Sequence, residues 1–261
     1  MTAERRRSIL RGTAAVLVVA ALYEVLARSG LFQRALLPTL ETIGASLYAQ
    51  FADGTMPMHV LYTMYRMLTG FALAVAVGLP LGVLMGRFRA AERFFLPLTS
   101  ALMPIPSLAL VPVFMLWFGI GDKVAILIVF YAATFPMALS AWSGVRAVNQ
   151  LWLRAASAMG ADKAALFWKV ILPGASPFII AGLRQAFLRS WIAVVGAEML
   201  AASDWGLGWV IFDAKEFLNT DVMLASVAVI GFVGFVFERL VFGTLERATV
   251  QRWGMVRAAK S

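Results

Sequence analysis

The sequence predicts an all-α, polytopic membrane protein with six transmembrane helices and both termini in the cytoplasm. Three observations predict it. Apolar residues make up 61% of the 261 residues and charged residues 14%, against about 45–50% and about 25% in a soluble domain. The apolar residues fall in runs, each long enough for the ~20 helical residues a bilayer requires. The basic residues gather in the segments that a cytoplasmic N-terminus places inside.

The first run, 13–29, follows a basic stretch over 1–12. Arg6-Arg7-Ser8-Ile9-Leu10 looks like a twin-arginine export signal. Its removal would leave five spans and strand the loop charges, so the run is read as an uncleaved helix. Residues 39–53 put Ile43, Leu47 and Phe51 four apart, one apolar stripe on a mixed helix. That pattern predicts a helix lying along the outer membrane surface. The second span, 60–85, carries Gly78 and Gly82, with Gly86 just past its end. Small residues at this spacing let helices approach closely, either within one subunit or as a face that slides during gating. The third, 94–118, holds Pro97, Pro104, Pro106 and Pro112, which predict a kinked or broken helix. The remaining spans are 123–145, 174–201 and 223–243. With this topology fifteen basic residues lie inside and four outside (Arg28, Arg34, Lys123 and Lys215).

The cytoplasmic segment 146–173 departs from the apolar pattern. Leu151, Ala155, Ala158 and Met159 share one helical face; Leu166, Phe167 and Val170 share another, and Gly160 divides them. Asp162 follows the glycine by two residues and is placed to cap a new helix. The segment reads as helix, tight glycine turn, helix. Its small residues offer a shallow surface to a second protein, or else it is a hairpin packed on the membrane base.

Several chemistries are excluded. The chain has no cysteine and one histidine, His59. Disulfides, thiol catalysis and multi-histidine or thiolate metal sites are therefore ruled out, and no metal site is expected. No phosphate-binding loop of the G-x-x-x-x-G-K type occurs. The net charge of +9 follows from the inside bias and needs no nucleic acid.

Charges inside spans are read one by one, because each costs ~2.5–3.5 kcal/mol at the centre of a membrane helix. Arg184, near the cytoplasmic start of the fifth span, snorkels or ties down the loop. Arg189 lies deeper; it lines a path for an anion or pairs with Glu198 or a carbonyl. Glu198, near the outer end, is a structural partner or a further path residue. Arg66, Glu24, Glu238 and Arg239 sit near span ends and read as interfacial anchors. Trp205, Trp209 and Phe212 form an aromatic belt, a binding-protein contact or an outer gate.

Arg154-Ala155-Ala156, then Gly160, then Val170-Ile171-Leu172-Pro173 resembles the EAA loop of permease subunits of binding-protein-dependent ABC importers. That motif is Glu-Ala-Ala, three residues, glycine, nine residues, Ile-x-Leu-Pro. Val170 stands for isoleucine, and Arg154 for glutamate, a reversal of charge. Further stretches are similar to the nitrate, sulfonate, taurine and bicarbonate group: LLPTLETI (36–43), Met103-Pro104-Ile105-Pro106 with 108–122, GLR (182–184) with WIAVVGAEML (191–200), and WGLGWVIFDAKEFLNTD (205–221). The resemblance implies a type I ABC importer permease fold, one domain over 13–261, in the bacterial inner membrane. It implies a second permease copy, two cytoplasmic ATPase subunits that carry the ATP and Mg, and a periplasmic or lipid-anchored solute-binding protein. It also implies that Arg154, Ala155, Ala156, Met159, Gly160, Ala161, Asp162, Leu172 and Pro173 couple to the ATPase, and that the solute is a small anion. No cofactor is expected in the chain itself.

Another class is an ion-coupled carrier or channel without an ATPase. Such a carrier often has inverted repeats and mid-membrane carboxylates; no repeat is evident and Glu198 is the only acid well inside a span. An intramembrane enzyme would need a catalytic set that the chain lacks.

Overall fold

A computed structural model describes residues 3–202 and 204–246. The basic residues Arg247, Arg252, Arg257 and Lys260 of the expected cytoplasmic terminus lie outside the described residues. So do the side chains of the N-terminal basic stretch. Among the described residues every regular element is helical. Four helices of the described residues are long and apolar enough to cross a membrane, and a bent pair makes a fifth crossing if counted as one span.

Helix α1 (Ala3–Arg28) takes in most of the expected basic N-terminal stretch as helix. Leu40 N–H donates to Glu24 (2.8 Å) and Tyr23 to the Pro38 carbonyl (2.8 Å), fixing the turn into α2 (Leu40–Ala52). Helix α2 has the predicted length, starts at the Thr39 cap and buries none of its residues fully. Asp53 ends it. Hydrogen bonds from the Thr55 hydroxyl and N–H hold the Asp53 carboxyl below the usual carboxylate range and open α3 (Thr55–Arg87).

The third span is broken, as its prolines predict. Helix α4 (Arg89–Leu102) and the stretch from a 3-10 turn at Ser107–Leu110 through α5 (Val111–Phe118) meet at 86°. Pro104 and Pro106 cannot donate backbone hydrogen bonds; the Leu102 carbonyl accepts instead from Ile105 N–H at 3.1 Å and from the Tyr131 hydroxyl at 2.6 Å. Pro112 sits in the first turn of α5, where no N–H is needed.

The core is α3 against α6 (Asp122–Ala147) against α9 (Leu172–Ala201), with α10 (Leu207–Glu216) and α11 (Thr220–Glu246) behind. Phe187 anchors it, edge-on to Phe71 at 5.9 Å and stacked on Phe237 of α11 at 5.1 Å. The seam between α3 and α6 is made of small residues. A Cβ on Gly82 would lie 2.2 Å from the Ala138 carbonyl oxygen; at Gly78 it would lie 2.7 Å from that of Thr134, and at Gly86 2.5 Å from Val145 Cβ. These glycines therefore pack within one chain. The row starts earlier than the sequence suggested, at Gly70, whose Cβ would meet the Ile126 carbonyl oxygen at 2.6 Å.

Overpacking such a seam costs about 1–3 kcal/mol. Gly82→Ala is expected to lower the melting temperature of the detergent-solubilised protein. Gly44→Ala, where an added Cβ meets nothing within 4 Å, is expected to leave it unchanged or raise it slightly. Equal melting temperatures would mean that the seam is not tight.

Candidate functional site: a charged clasp, a cavity beside Arg189 and an exposed loop

Three features carry the chemistry. The first lies at the end of the bundle where α3 starts and α9 ends. Helix α10 begins there inside the protein, and its first N–H groups need acceptors. They find side chains of other helices. Gly206 N–H donates to His59 Nδ1 (3.1 Å), Leu207 N–H to Thr63 Oγ1 (2.8 Å) and Gly208 N–H to Glu198 Oε2 (3.0 Å). His59 is therefore the neutral tautomer with its proton on Nε2. The Thr63 hydroxyl in turn donates a hydrogen bond to Glu198 Oε2 at 2.9 Å. Glu198 Oε1 accepts from Arg66 Nη1 at 2.8 Å, and the same nitrogen donates to the Trp205 carbonyl at 2.5 Å. Arg66 Nε and Nη2 both reach Asp122 Oδ1 at 2.7 Å. The carboxylate at a helix N-terminus also meets the positive end of its dipole.

Arg66, expected as an interfacial anchor, is thus 2% exposed and central to a buried cluster. Its place near a span end gave the wrong signal, because α10 folds over that end. Gly206, at φ +139°, leaves no room for a side chain: a Cβ there would sit 2.5 Å from Glu198 Cδ. Trp205 and Trp209 pack on His59 at 4.9 and 5.7 Å, so these rings are bound to α3.

The second feature is a cavity of about 500 Å³ between the α4–α5 elbow, α6 and α9. Arg189 lines it with Pro104, Ser107, Tyr131 and Ile192. Among the described residues Arg189 makes neither an ion pair nor a side-chain hydrogen bond; Glu198 is engaged by Arg66 instead. A second cavity of about 580 Å³ continues toward the end of α6 and the start of α9, lined by Ser100, Ser140, Ser143 and Gln185. The two share Met103 and Pro136. Glu198 and Arg184 line neither. Arg184 forms an ion pair with Glu238 of α11.

The third feature is the segment 146–173. Helix α7 (Gln150–Ala158) is capped by Asn149, whose side chain accepts from Leu151 N–H at 2.8 Å. The chain reverses at Gly160 (φ +84°). Asp162 accepts from Ala165 N–H at 2.7 Å and starts α8 (Lys163–Leu166). A π-helical turn, Phe167–Ile171, runs on into Leu172, Pro173 and the rest of α9. Arg154, Ala155, Met159 and Gly160 are exposed; Ala156 faces inward and Ala161 is half-buried.

These features define a helical membrane protein with a charged clasp at one end, a cavity beside Arg189 and a capped loop at the other end. Residues 78–247 match the family described as binding-protein-dependent transport system inner membrane component, and the chain belongs to that family. It is 40% identical over 188 residues to the taurine transport system permease protein of Escherichia coli (strain K12), covering 72% of this chain and 68% of that one. It is 30% identical over 230 residues to the putative aliphatic sulfonates transport permease protein of Bacillus subtilis (strain 168), covering 88% and 83%. Its fold is similar to that of a solved chain of the MetNI methionine ABC transporter in an inward-facing conformation, with a TM-score of 0.66 and 20% identity over 76% of this chain and 97% of that one. The chain is accordingly an ABC importer permease subunit, a transport component and not an enzyme. The ion-coupled alternative falls with that assignment.

Removing one partner of a buried ion pair leaves the other uncompensated and costs roughly 3–5 kcal/mol. Glu198→Gln is expected to reduce thermal stability markedly in detergent. It should also expose the 205–209 segment to proteolysis. A variant as stable and as protease-resistant as the parent would mean that Glu198 does not hold α10.

Proposed function

We propose that this chain moves a small organic anion of the sulfonate type across the inner membrane by alternating access. Arg189 is the observation that carries the reading. It is a cation on a membrane-depth helix, exposed, without an ion pair or side-chain hydrogen bond among the described residues, on the wall of a cavity. Such a charge is a functional hypothesis by default. The names of the taurine and sulfonate relatives fit a solute with one fixed negative charge. A guanidinium binds that group through paired, charge-assisted hydrogen bonds. From Arg189 the path passes Met103 and Pro136 to the hydroxyl-lined second cavity. Serine hydroxyls donate to an anion without holding it as tightly as a second cation would.

Two copies of the chain face each other across this path. Cytoplasmic ATPase subunits, which carry the ATP and Mg, dock on the 146–173 segment through Arg154, Ala155, Ala156, Met159, Gly160, Ala161 and Asp162. Leu172 and Pro173 join that segment to α9. A solute-binding protein delivers the anion on the other side. Closure of the ATPases draws the segments together and turns each copy as a rigid body.

Arg189→Gln is expected to lower uptake of a sulfonate about tenfold or more at unchanged protein level, the loss of one charge-assisted contact. Equal losses of uptake and protein level would assign Arg189 to folding. Gly160→Glu places a side chain in a left-handed turn and a new charge on the docking face. It is expected to abolish uptake with membrane insertion intact; normal uptake would sink the docking assignment.

A further inference from the structure

Helix α7 leaves large apolar side chains exposed. Leu151 is 67% exposed and Met159 81%. They stand two turns apart on one face, with exposed Ala155 and Ala158 between them. Ala156 and the half-buried Leu153, which packs on the core, are what the helix turns inward. Every local polar group that shapes the loop is already used: Asn149 caps α7, Asp162 caps α8, and Ala161 N–H closes on the Ala156 carbonyl at 3.0 Å. The face is therefore a preformed relief of two apolar knobs with a shallow valley between them.

Arg154 flanks this face on the Leu151 side, one turn from both Leu151 and Ala158 and turned away from Met159. It is exposed and makes no ion pair or hydrogen bond among the described residues. Lys163, beyond the turn, is likewise exposed and unpaired, while the one carboxylate close in sequence, Asp162, is held by its cap. Docking would remove Arg154 from water. A cation desolvated without a counter-charge is costly, so its site on the partner has to supply one.

We propose that the cytoplasmic ATPase subunit of this transporter receives α7 in a groove with two apolar pockets, for Leu151 and Met159, and an acidic side chain beside the Leu151 pocket opposite Arg154. The inference rests on the docking reading above and adds the sign of the charge. It makes the groove selective: a groove with a basic residue at that point repels this permease even where its apolar pockets fit. An anionic lipid headgroup is the competing counter-charge. It has no use for the valley between the knobs, which suits a protein surface.

The test uses the whole transporter, permease and ATPase co-expressed and placed in lipid nanodiscs. Because the chain has no cysteine, Met159→Cys gives a single site for cross-linking to cysteines introduced around the ATPase groove. The cross-link is expected, and its position identifies the groove residues near Arg154. Arg154→Glu is then expected to reduce ATPase recovered with the permease at least tenfold. Reversal of the facing acid to lysine should restore it, and wild-type assembly should weaken as salt rises. A cross-link with undiminished assembly of Arg154→Glu would overturn the acidic groove and leave the docking reading standing. No cross-link from position 159 anywhere on the ATPase would overturn both. A loss confined to nanodiscs with anionic lipid, absent in neutral ones, would assign Arg154 to the membrane surface and also overturn the proposal.

Discussion

The burial of the α10 N-terminus is the constraint from which the rest of this end of the molecule follows. A helix that starts inside a protein brings N–H groups that must be satisfied. Here three consecutive donors take His59, Thr63 and Glu198 as acceptors. A carboxylate in that position is costly unless compensated, and Arg66 compensates it. A guanidinium has five donors, so it in turn requires Asp122 and the Trp205 carbonyl. Each group is present because the previous one demands it. The result joins α3, the start of α6, the end of α9 and the start of α10 at one point. A buried ion cluster adds little net stability over an apolar core. Its contribution is to fix register: the helices have only one alignment in which all these partners are met.

The opposite end is tied less strongly. Glu92 of α4 accepts from Trp142 of α6 at 3.2 Å and lies 3.6 Å from Arg146. Between the ends, the small-residue seam of α3 and α6 allows backbone approach that larger side chains forbid. A chain clasped at both ends and close-packed between them has little freedom to open a path within itself. Alternating access is then more easily achieved by turning whole copies against each other than by reshaping one, since packed interiors switch between discrete arrangements and do not deform continuously.

What the sequence made legible was mostly local. The loop geometry could be read because Gly160 and Asp162 act on their immediate neighbours. The elbow could be read because four prolines fall in one run. The glycine row announced a close approach, although the identity of its partner, α6, is not encoded in the row. The clasp was missed for the opposite reason. Its ion pairs join residues 56 and 132 positions apart, and no periodicity links such positions. One signal was present: Arg66, Asp122 and Glu198 all lie near span ends that the topology places on the same side. The two glycines of Trp205-Gly206-Leu207-Gly208 were a second, since a Cβ at Gly208 would meet the Val195 carbonyl oxygen at 2.2 Å. Arg184 and Glu238 likewise sit on different spans and meet only in three dimensions.

The exposure of Arg189 has a consequence for the proposed pair of copies. On a single chain in a bilayer, this cation would face lipid at a cost of ~2.5–3.5 kcal/mol on insertion scales. A second copy across the path would shield it and enclose the cavity. That arrangement brings two like charges toward one another, and their repulsion is strongest when the path is dry and empty. An anion between them relieves it; a cation adds to it. Selection for negative solutes would therefore reside in the path itself, before any contribution from a binding protein. On the proposed function the same repulsion would favour separation of the two walls when the anion leaves, so the charge that admits the solute would also help to reset the path.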